Sequence, residues 1–282
     1  MAEVAPSEFS AAGLARIAAL LRDVFPSARG IDPAYLDWGY TANPQGRAVA
    51  FDAHEADALV GHVAGRALVA RIDGHEERGL LIHHAATRAG QRGRGWLGAG
   101  IEAIAAAGRE AGFGFLLGVA NAKSAPVFVG RYGFQGVGPL DVRLGLGLPP
   151  PFRGERSVQL ETRWSPPAIA WRLAQPGADY RARRLGDAAQ VLVRSGRAGP
   201  WLELAWLPVE SVPPALPAPQ PGPRLGAFIG LEPRRRARPW PALHVPLRLR
   251  PSPLELIFRD LAGRRRLDHA RIAFCALDFD AY

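Results

Sequence analysis

Residues 80–97 read LLIHHAATRAGQRGRGWL, and this stretch decides how the fold of the chain is predicted. It contains an apolar strand that ends near Thr87, a glycine-rich turn at 89–95 and a helix that starts at Trp96. The first turn of a helix carries unpaired backbone N–H groups and partial positive charge. Because glycine lets a bulky anion approach those groups, the turn predicts a phosphate or pyrophosphate site. The alternative is a strand-to-helix turn that needs glycine for its shape alone.

Arg92 and Arg94 add positive charge to this turn. Two common nucleotide-binding motifs do not match it. A Walker loop requires Gly-Lys followed by Ser or Thr, and the chain contains no such triplet. A Rossmann turn follows the first strand of a parallel unit, whereas the strand before this turn ends an antiparallel meander. The expected ligand is therefore a phosphate-bearing molecule bound by another fold.

The segments around the turn predict helices and strands in a definite order. Ser10 and Asp32-Pro33 are helix start signals, and Asp73-Gly74 is a hairpin turn. The predicted strands are 48–52, 59–72 with a bulge at Gly65, 79–87, 113–119 and 137–146. The predicted helices are 10–25, a short helix after Pro33, 96–111 and a short helix within 121–132.

The second half begins after a proline-rich linker at 148–151, which predicts domains at 1–147 and 148–282. The spacing Trp38-x5-Pro44 is similar to Trp171-x4-Pro176, which hints at an internal duplication. Predicted elements of this half are strands near 157–162, 227–231, 244–249 and 270–277, a helix that carries Trp171, a proline-rich loop at 207–223 and a helix at 254–260.

Composition narrows the class of protein. The 282 residues are 48% hydrophobic and 22% charged, which is typical of a globular chain. The net charge of +9 invites a nucleic-acid partner, but Lys123 is the only lysine and the arginines are scattered, so the charge favours a solvated surface with local anion sites. The single Cys275 excludes an internal disulfide and a cysteine-based zinc site, and no metal site is predicted.

Localisation is predicted from what the sequence lacks. No window approaches the roughly 18–20 apolar residues of a membrane helix. Glu3 and Glu8 near the start argue against a signal peptide. We therefore expect a cytoplasmic protein without a membrane partner, and the sequence leaves its oligomeric state open.

Three motifs in order resemble the GNAT superfamily of acyl-CoA-dependent N-acyltransferases. The turn Arg92-Gly93-Arg94-Gly95-Trp96-Leu97 is similar to the family's Arg/Gln-x-x-Gly-x-Gly/Ala, although Leu97 departs from its final small residue. Residues 121–128 resemble the family's Asn-x-x-Ala signature, and Gly133-Phe134 its terminal Gly-Phe. The resemblance covers roughly residues 10–147.

The aromatic residues of the first half narrow the resemblance to a subgroup. The stretch with Trp38, Tyr40, Asn43 and Pro44, together with the ending Asp278-Phe279-Asp280, resembles a bacterial subgroup with two GNAT-like halves, some members of which are associated with polysaccharide biosynthesis. The implied fold class is α+β, with a mixed, mostly antiparallel sheet flanked by helices in each half.

The resemblance implies an N-acyltransferase that uses acetyl-CoA as co-substrate and a small-molecule or peptide amine as acceptor. Backbone N–H groups from Arg92 to Leu97 would hold the CoA pyrophosphate. The strand edge at Ala85 and Thr87, with Asn121 and Ser124, would contact the pantetheine arm. The amine would attack the thioester directly in a ternary complex.

The base and acid of the family are not evident at their usual places. Leu81 occupies the position of the family's strand glutamate, and Val129 that of its general-acid tyrosine, with Tyr132 nearby. His83 lies on the same strand face as Leu81 and is the candidate base, whereas His84 is expected to point the other way. The alternative is that both histidines are structural, and His54 and Glu55 are further candidates.

Further interpretations stay open at this point. Trp38 and Tyr40 are candidate acceptor-site residues, or core aromatics. The second half has no matching turn, because Glu232 and Pro233 follow Gly230, so it is expected to be degenerate. A catalytically inactive CoA-binding or scaffolding protein is the alternative to the enzyme, and an arginine-rich nucleic-acid binder is the third hypothesis.

Overall fold

A computed structural model describes residues 3–28, 30–151, 157–194, 199–220, 225–237, 240–263 and 265–279. These residues form five α-helices and fifteen strands. The helices are α1 (Ala11–Val24), α2 (Pro33–Tyr40), α3 (Trp96–Glu110), α4 (Ala125–Arg131) and α5 (Pro166–Leu173). The strands are β1 (Val4–Pro6), β2 (Val49–Glu55), β3 (Ala58–Ile72), β4 (His75–Thr87), β5 (Phe115–Ala120), β6 (Gln135–Pro139), β7 (Asp141–Leu146), β8 (Leu160–Thr162), β9 (Tyr180–Leu185), β10 (Ala188–Arg194), β11 (Trp201–Pro208), β12 (Leu225–Leu231), β13 (Ala242–His244), β14 (Glu255–Asp260) and β15 (Ile272–Cys275). The α+β class predicted from the sequence is confirmed.

The first half is built on the predicted meander. Strands β2, β3 and β4 pair antiparallel, and Asp73 and Gly74 turn the β3–β4 hairpin with positive φ angles of 49° and 88°. Strand β5 then runs parallel to β4, because α3 carries the chain back across the sheet. The resulting strand order is β1-β2-β3-β4-β5-β14-β6.

Helices cover both faces of this sheet. The side chain of Ser10 caps α1 by accepting from Gly13 N, and Asp32 caps α2 by accepting from Tyr35 N. The apolar faces of these two helices pack on one side of the sheet, and α3 packs on the other through Ile101 and Ile104. The alternation of side chains along β3 supplies both contacts, because successive residues point to opposite faces.

The two halves exchange one strand each. Strand β14 of the second half lies between β5 and β6 of the first, and β7 of the first half lies between β12 and β13 of the second. The second-half order is therefore β9-β10-β11-β12-β7-β13. Strands β8 and β15 join the two parts by pairing with β3 and β12. The boundary at residue 147 stays a prediction, since each half completes the sheet of the other.

The halves also meet through two equivalent helices. Trp38 is the sixth residue after the cap of α2, and Trp171 is the sixth after Ser165, which caps α5. Their rings stack with centroids 4.7 Å apart, and each indole N–H donates to the other's backbone carbonyl at 2.8 Å. This symmetric contact supports the internal duplication that the Trp-Pro spacing suggests.

Several local predictions are wrong. Residues 254–260 form a strand, β14, rather than a helix, because both edges of this short apolar run pair with first-half strands. The predicted strand 244–249 is replaced by β13 and a 3₁₀ turn at Leu247–Leu249, and the predicted strand 137–146 is divided into β6 and β7. Gly65 pairs regularly with Ile82, so the bulge is not at Gly65.

The structure also bears on a membrane role. No helix within the described ranges combines the length and apolar character needed to cross a bilayer.

Candidate functional site

The parallel strands β4 and β5 separate after three paired residues. The last pair is Leu81 with Leu117, and beyond it the edge of β4 that faces β5 has no strand partner among the described residues. A cleft of about 1040 Å³ lies here. Its first-half walls include Tyr35, Ile82, His83, His84, Ala85, Leu97, Gly118, Val119, Ala120, Asn121, Ser124 and Phe128, and its second-half walls include Gln175, Pro176, Gly177, Ala178, Asp179, Val193, Arg194, Ser252, Leu254 and Ile257.

A β-bulge shapes the wall of the cleft on β4. The register with β3 shifts so that His83 faces Ala64 but Ala86 faces His62, which leaves two residues of β4 opposite one residue of β3. His84 sits in this bulge with φ of 51°. Because the bulge breaks the alternation of side chains, His83 and His84 both line the cleft. The expectation that His84 points away is therefore wrong.

The glycine-rich turn lies at the start of α3. Gly93 and Gly95 have φ of 81° and 87°, a conformation that disfavours side chains, and Gly95 is the cap residue. No side chain caps α3 or α4, whereas side chains cap α1, α2 and α5. Residues 92–95 are exposed. The N–H groups of the first turn therefore have no capping side chain and follow an exposed turn, as an anion site requires.

A carboxylate from the meander already contacts this turn. Glu55 accepts hydrogen bonds from the side chains of Gln91 and Arg94, and its ion pair with Arg94 is about half exposed. An exposed pair of this kind contributes little stability. This arrangement shows that Arg94 can reach an oxyanion, and it places Glu55 at the turn rather than at the histidines.

Two of the four predicted pantetheine contacts lie on the opposite wall. Asn121 and Ser124 line the cleft, where the Asn121 side-chain oxygen accepts from the backbone N–H groups of Lys123 and Ser124 at 2.9 Å. This local turn starts α4. Ala85 and Leu97 also line the cleft, whereas Thr87 and Trp96 line a separate small pocket.

The two aromatic residues predicted for the acceptor are buried. Trp38 is stacked on Trp171, and Tyr40 is only 1% exposed; neither lines the cleft. The aromatic residue of α2 that does line it is Tyr35, which contacts the ring of His84 edge-on. The helix thus presents a different residue to the cleft than its sequence alone indicated.

Tyr40 belongs instead to a buried polar chain. Its hydroxyl lies 2.5 Å from Nδ1 of His84 and 2.9 Å from Nε2 of His62, and Nδ1 of His62 lies 2.7 Å from Oδ1 of Asp52. Ser7 donates to the same carboxylate oxygen at 2.7 Å. Burial, with Tyr35 and Asp52 nearby, raises the pKa of Tyr40 well above its ordinary value. The sequence signal that could have revealed this chain is the presence of Asp52 and His62 on strands whose neighbours are apolar.

The residues at the positions that the GNAT resemblance assigns to an acid and a base do not line the cleft. Leu81 is a core residue, and neither Val129 nor Tyr132 lines the cleft. Burial raises the pKa of the Tyr132 hydroxyl, which lies against Gly98 of α3. No cluster of three or more potential metal ligands occurs within the residues described.

Comparison with known proteins establishes the fold. No family model and no curated protein matches the sequence. Solved structures that match include a GCN5-related N-acetyltransferase from Kribbella flavida (TM-score 0.59, 11% identity, 92% of this chain and 71% of that chain), one from Anabaena variabilis ATCC 29413 (0.57, 10%, 92% and 73%) and Eis1 from Mycobacterium abscessus (0.56, 11%, 92% and 73%). The match extends over both halves of the chain.

Proposed function

We propose, from the premise that this chain has the fold of the GCN5-related N-acetyltransferases, that it transfers an acyl group from acyl-CoA to a primary amine. The observation that carries the proposal is the separation of β4 from β5 next to an uncapped helix start. The strand edge lies in the cleft, and the anion site lies beside it at the start of α3, where Leu97 lines the cleft and residues 92–95 do not. A strand edge beside an anion site is what a long thioester with a pyrophosphate needs. Acetyl-CoA is the proposed donor.

The chain contributes mainly binding and orientation. Backbone N–H groups from Arg92 to Leu97 hold the pyrophosphate, and the open edge of β4 at Ala85 lies along the pantetheine arm. A backbone N–H on that edge polarises the thioester carbonyl as its oxygen gains charge. Attack by the bound amine forms the C–N bond and breaks the C–S bond.

The leaving group and the base complete the mechanism. A thiolate with an ordinary pKa near ~8.5 leaves without a protein acid, so the absence of a tyrosine at position 129 is compatible with turnover. The amine must lose a proton, and two histidines, His83 and His84, stand on the cleft wall to accept it. His83 is the base that strand alternation predicts.

The acceptor is proposed to bind between the two halves. The cleft continues from β4 to second-half residues that include Asp179 and Arg194. A small-molecule or peptide amine would fit a cleft with this mixture of apolar surface and a few charged groups. A cytoplasmic location remains the expectation of the sequence.

Two measurements test the proposal. Calorimetric titration with acetyl-CoA should show one binding site per chain, and its absence would favour the nucleic-acid hypothesis or another ligand. Release of free thiol from acetyl-CoA with a panel of amines should exceed the rate without amine. Binding without amine-dependent release would support instead the inactive CoA-binding protein.

A further inference from the structure

A chain of hydrogen bonds connects a buried carboxylate to the wall of the cleft. It runs from Asp52 on β2 through His62 on β3 and Tyr40 on α2 to His84 on β4. Asp52, His62 and Tyr40 are at most 7% exposed. Burying polar groups in a helix–sheet interface costs free energy, so a linked series of them that ends at a cleft points to a role beyond packing.

The direction of the hydrogen bonds follows from the first member. An ionised carboxylate only accepts, so Nδ1 of His62 carries the proton that it donates to Asp52. When the His62 ring carries a single proton, that proton is the one on Nδ1, so Nε2 accepts and the Tyr40 hydroxyl donates to it. The Tyr40 oxygen in turn accepts from Nδ1–H of His84. Each step fixes the next, which leaves the lone pair of His84 on Nε2.

We infer that His84, held in this tautomer by Asp52, His62 and Tyr40, is the base that removes the proton from the acceptor amine. This inference rests on the proposed acyl transfer. As the amine nitrogen bonds to the thioester carbon and the C–S bond breaks, Nε2 of His84 takes the amine proton. His84 becomes an imidazolium, and the sulfur leaves with the bonding electron pair. The proton then passes to the thiolate or to solvent, which restores neutral His84.

The position of His84 favours it over His83 as the base. The bulge on β4 turns His84 to line the cleft while Nδ1 stays on Tyr40. Its ring also contacts Tyr35, a cleft residue. In a general base, one ring nitrogen is oriented by a fixed partner and the other receives the proton. Asp52, His62 and Tyr40 act here as positioning residues.

The first test reads the tautomer without any need for turnover. In the full chain labelled with [¹⁵N]histidine, the nitrogen shifts at neutral pH should show His84 protonated at Nδ1 and bare at Nε2, with His62 in the same tautomer. The substitutions His84→Asn and His62→Asn identify the two sets of signals. Asp52→Asn can present an N–H to His62, so it should reverse the tautomers of both rings. A His84 ring protonated at Nε2 in the native chain would overturn the inference.

The second test reads the proton transfer. His84→Asn should lower kcat for amine-dependent thiol release about 10²–10⁴-fold, the range of general base catalysis, with acetyl-CoA affinity unchanged. Asparagine tolerates the positive φ of the bulge, so the strand should keep its shape. His75→Asn, an exposed residue of the same strand, is the matched control. Tyr40→Phe should lower kcat less, and it should move the acid limb of the pH–kcat profile.

Other titratable and charged groups also influence the pH profile of this site. His83 and Tyr35 contact the ring of His84, and Asp179 and Arg194 line the same cleft.

Three outcomes separate this inference from the proposed function. Failure of the wild-type chain to release thiol with any amine refutes the transferase and, with it, this base. Turnover that persists in His84→Asn but is lost in His83→Asn refutes the inference and leaves the transferase intact. Loss of turnover in His84→Asn together with the expected ¹⁵N tautomer supports both.

Discussion

Each half contains a pair of parallel strands that separate along their length. What lies beyond the separation differs between the two halves. In the first half, β4 and β5 pair at three positions up to Leu81–Leu117; in the second, β11 and β12 pair at three positions up to Glu203–Phe228. Beyond the first pair lies the cleft. Beyond the second pair lies the chain's own C-terminal segment: β15 pairs with β12, and Leu277 N donates to Leu204 O at 3.2 Å.

The connections between the strands differ as well. A glycine turn and α3 connect β4 to β5, whereas the described part of the connection from β11 to β12 contains a 3₁₀ turn at Val209–Ser211 and then four prolines up to residue 220. Proline lacks the N–H that would hold an anion and interrupts helices. The comparison teaches that the separated strands alone do not make an anion site, since the helix start must accompany them.

The second half also has a buried ion pair where its two parallel strands separate. Glu203 and Arg235 form an ion pair and are at most 3% exposed, and Gln190 and Trp206 donate to the same carboxylate at 2.5 and 3.0 Å. Burial raises the pKa of Glu203, while the Arg235 guanidinium opposes that shift. The first half has a hydrogen-bonded chain that reaches the cleft, whereas the second has a closed cluster.

The largest expected effect is a loss of stability when the buried ion pair of Glu203 and Arg235 is broken. Glu203→Ala removes the carboxylate that faces the buried Arg235, so the free energy of unfolding should fall by about 3–5 kcal/mol. Urea denaturation measures it. The double variant Glu203→Leu/Arg235→Met should recover most of the loss, because an apolar pair needs no charge compensation. A loss below about 1 kcal/mol in the single variant would show that the ion pair contributes little to the stability of the second half.

The next largest effect is expected at the helix start of the first half. Gly95→Asp places a carboxylate at the proposed pyrophosphate site and should weaken acetyl-CoA binding about a hundredfold, or about 2.7 kcal/mol. Calorimetry measures the affinity. Gly112→Asp is the matched control, since Gly112 also has a positive φ, of 78°, but lies beyond the other end of α3. Equal acetyl-CoA affinities in the two variants would show that the pyrophosphate does not bind at this turn.

The sequence could predict the first half well because its signals are local. The cap at Asp32-Pro33, the Asp73-Gly74 hairpin and the glycine turn before Trp96 each depend on neighbouring residues, and the structure has α2, the hairpin and α3 at these places. The open strand edge at Ala85 is predicted only through resemblance to a family.

What the sequence could not predict is set by distant contacts. Residues 254–260 become a strand only because β5 and β6 of the other half are there to pair with them. No strand is predicted from the sequence between Tyr180 and Pro208, where β9 to β11 lie. The orientation of His84 depends on a bulge, and the chain from Asp52 to His84 joins residues on four separate elements.

A smaller effect is expected where the two halves meet. A double-mutant cycle of Trp38→Ala and Trp171→Ala should give a coupling energy of about 0.5–1.5 kcal/mol, because each single variant already destroys the stacked pair. Urea denaturation of the four chains measures it. Trp201 packs in a separate cluster with Leu148 and Leu192, so Trp38→Ala and Trp201→Ala should add within about 0.3–0.5 kcal/mol. Zero coupling in the first cycle would mean that the halves are held together elsewhere.

The smallest expected effect is a change in the reactivity of the thiol on β15, the strand that lies beyond the paired part of β11 and β12. Cys275 on β15 is the only cysteine, so alkylation by iodoacetamide reports on this strand alone. Burial, together with the neighbouring Asp278 carboxyl, raises the thiol pKa well above its ordinary value. Because the thiolate is the reactive form, the alkylation rate of the native chain should reach half of its maximum at a pH well above the ordinary thiol pKa. The chain unfolded in urea should instead reach half of its maximum near the ordinary thiol pKa. Equal midpoints in the native and unfolded chains would indicate that the thiol on β15 is not buried.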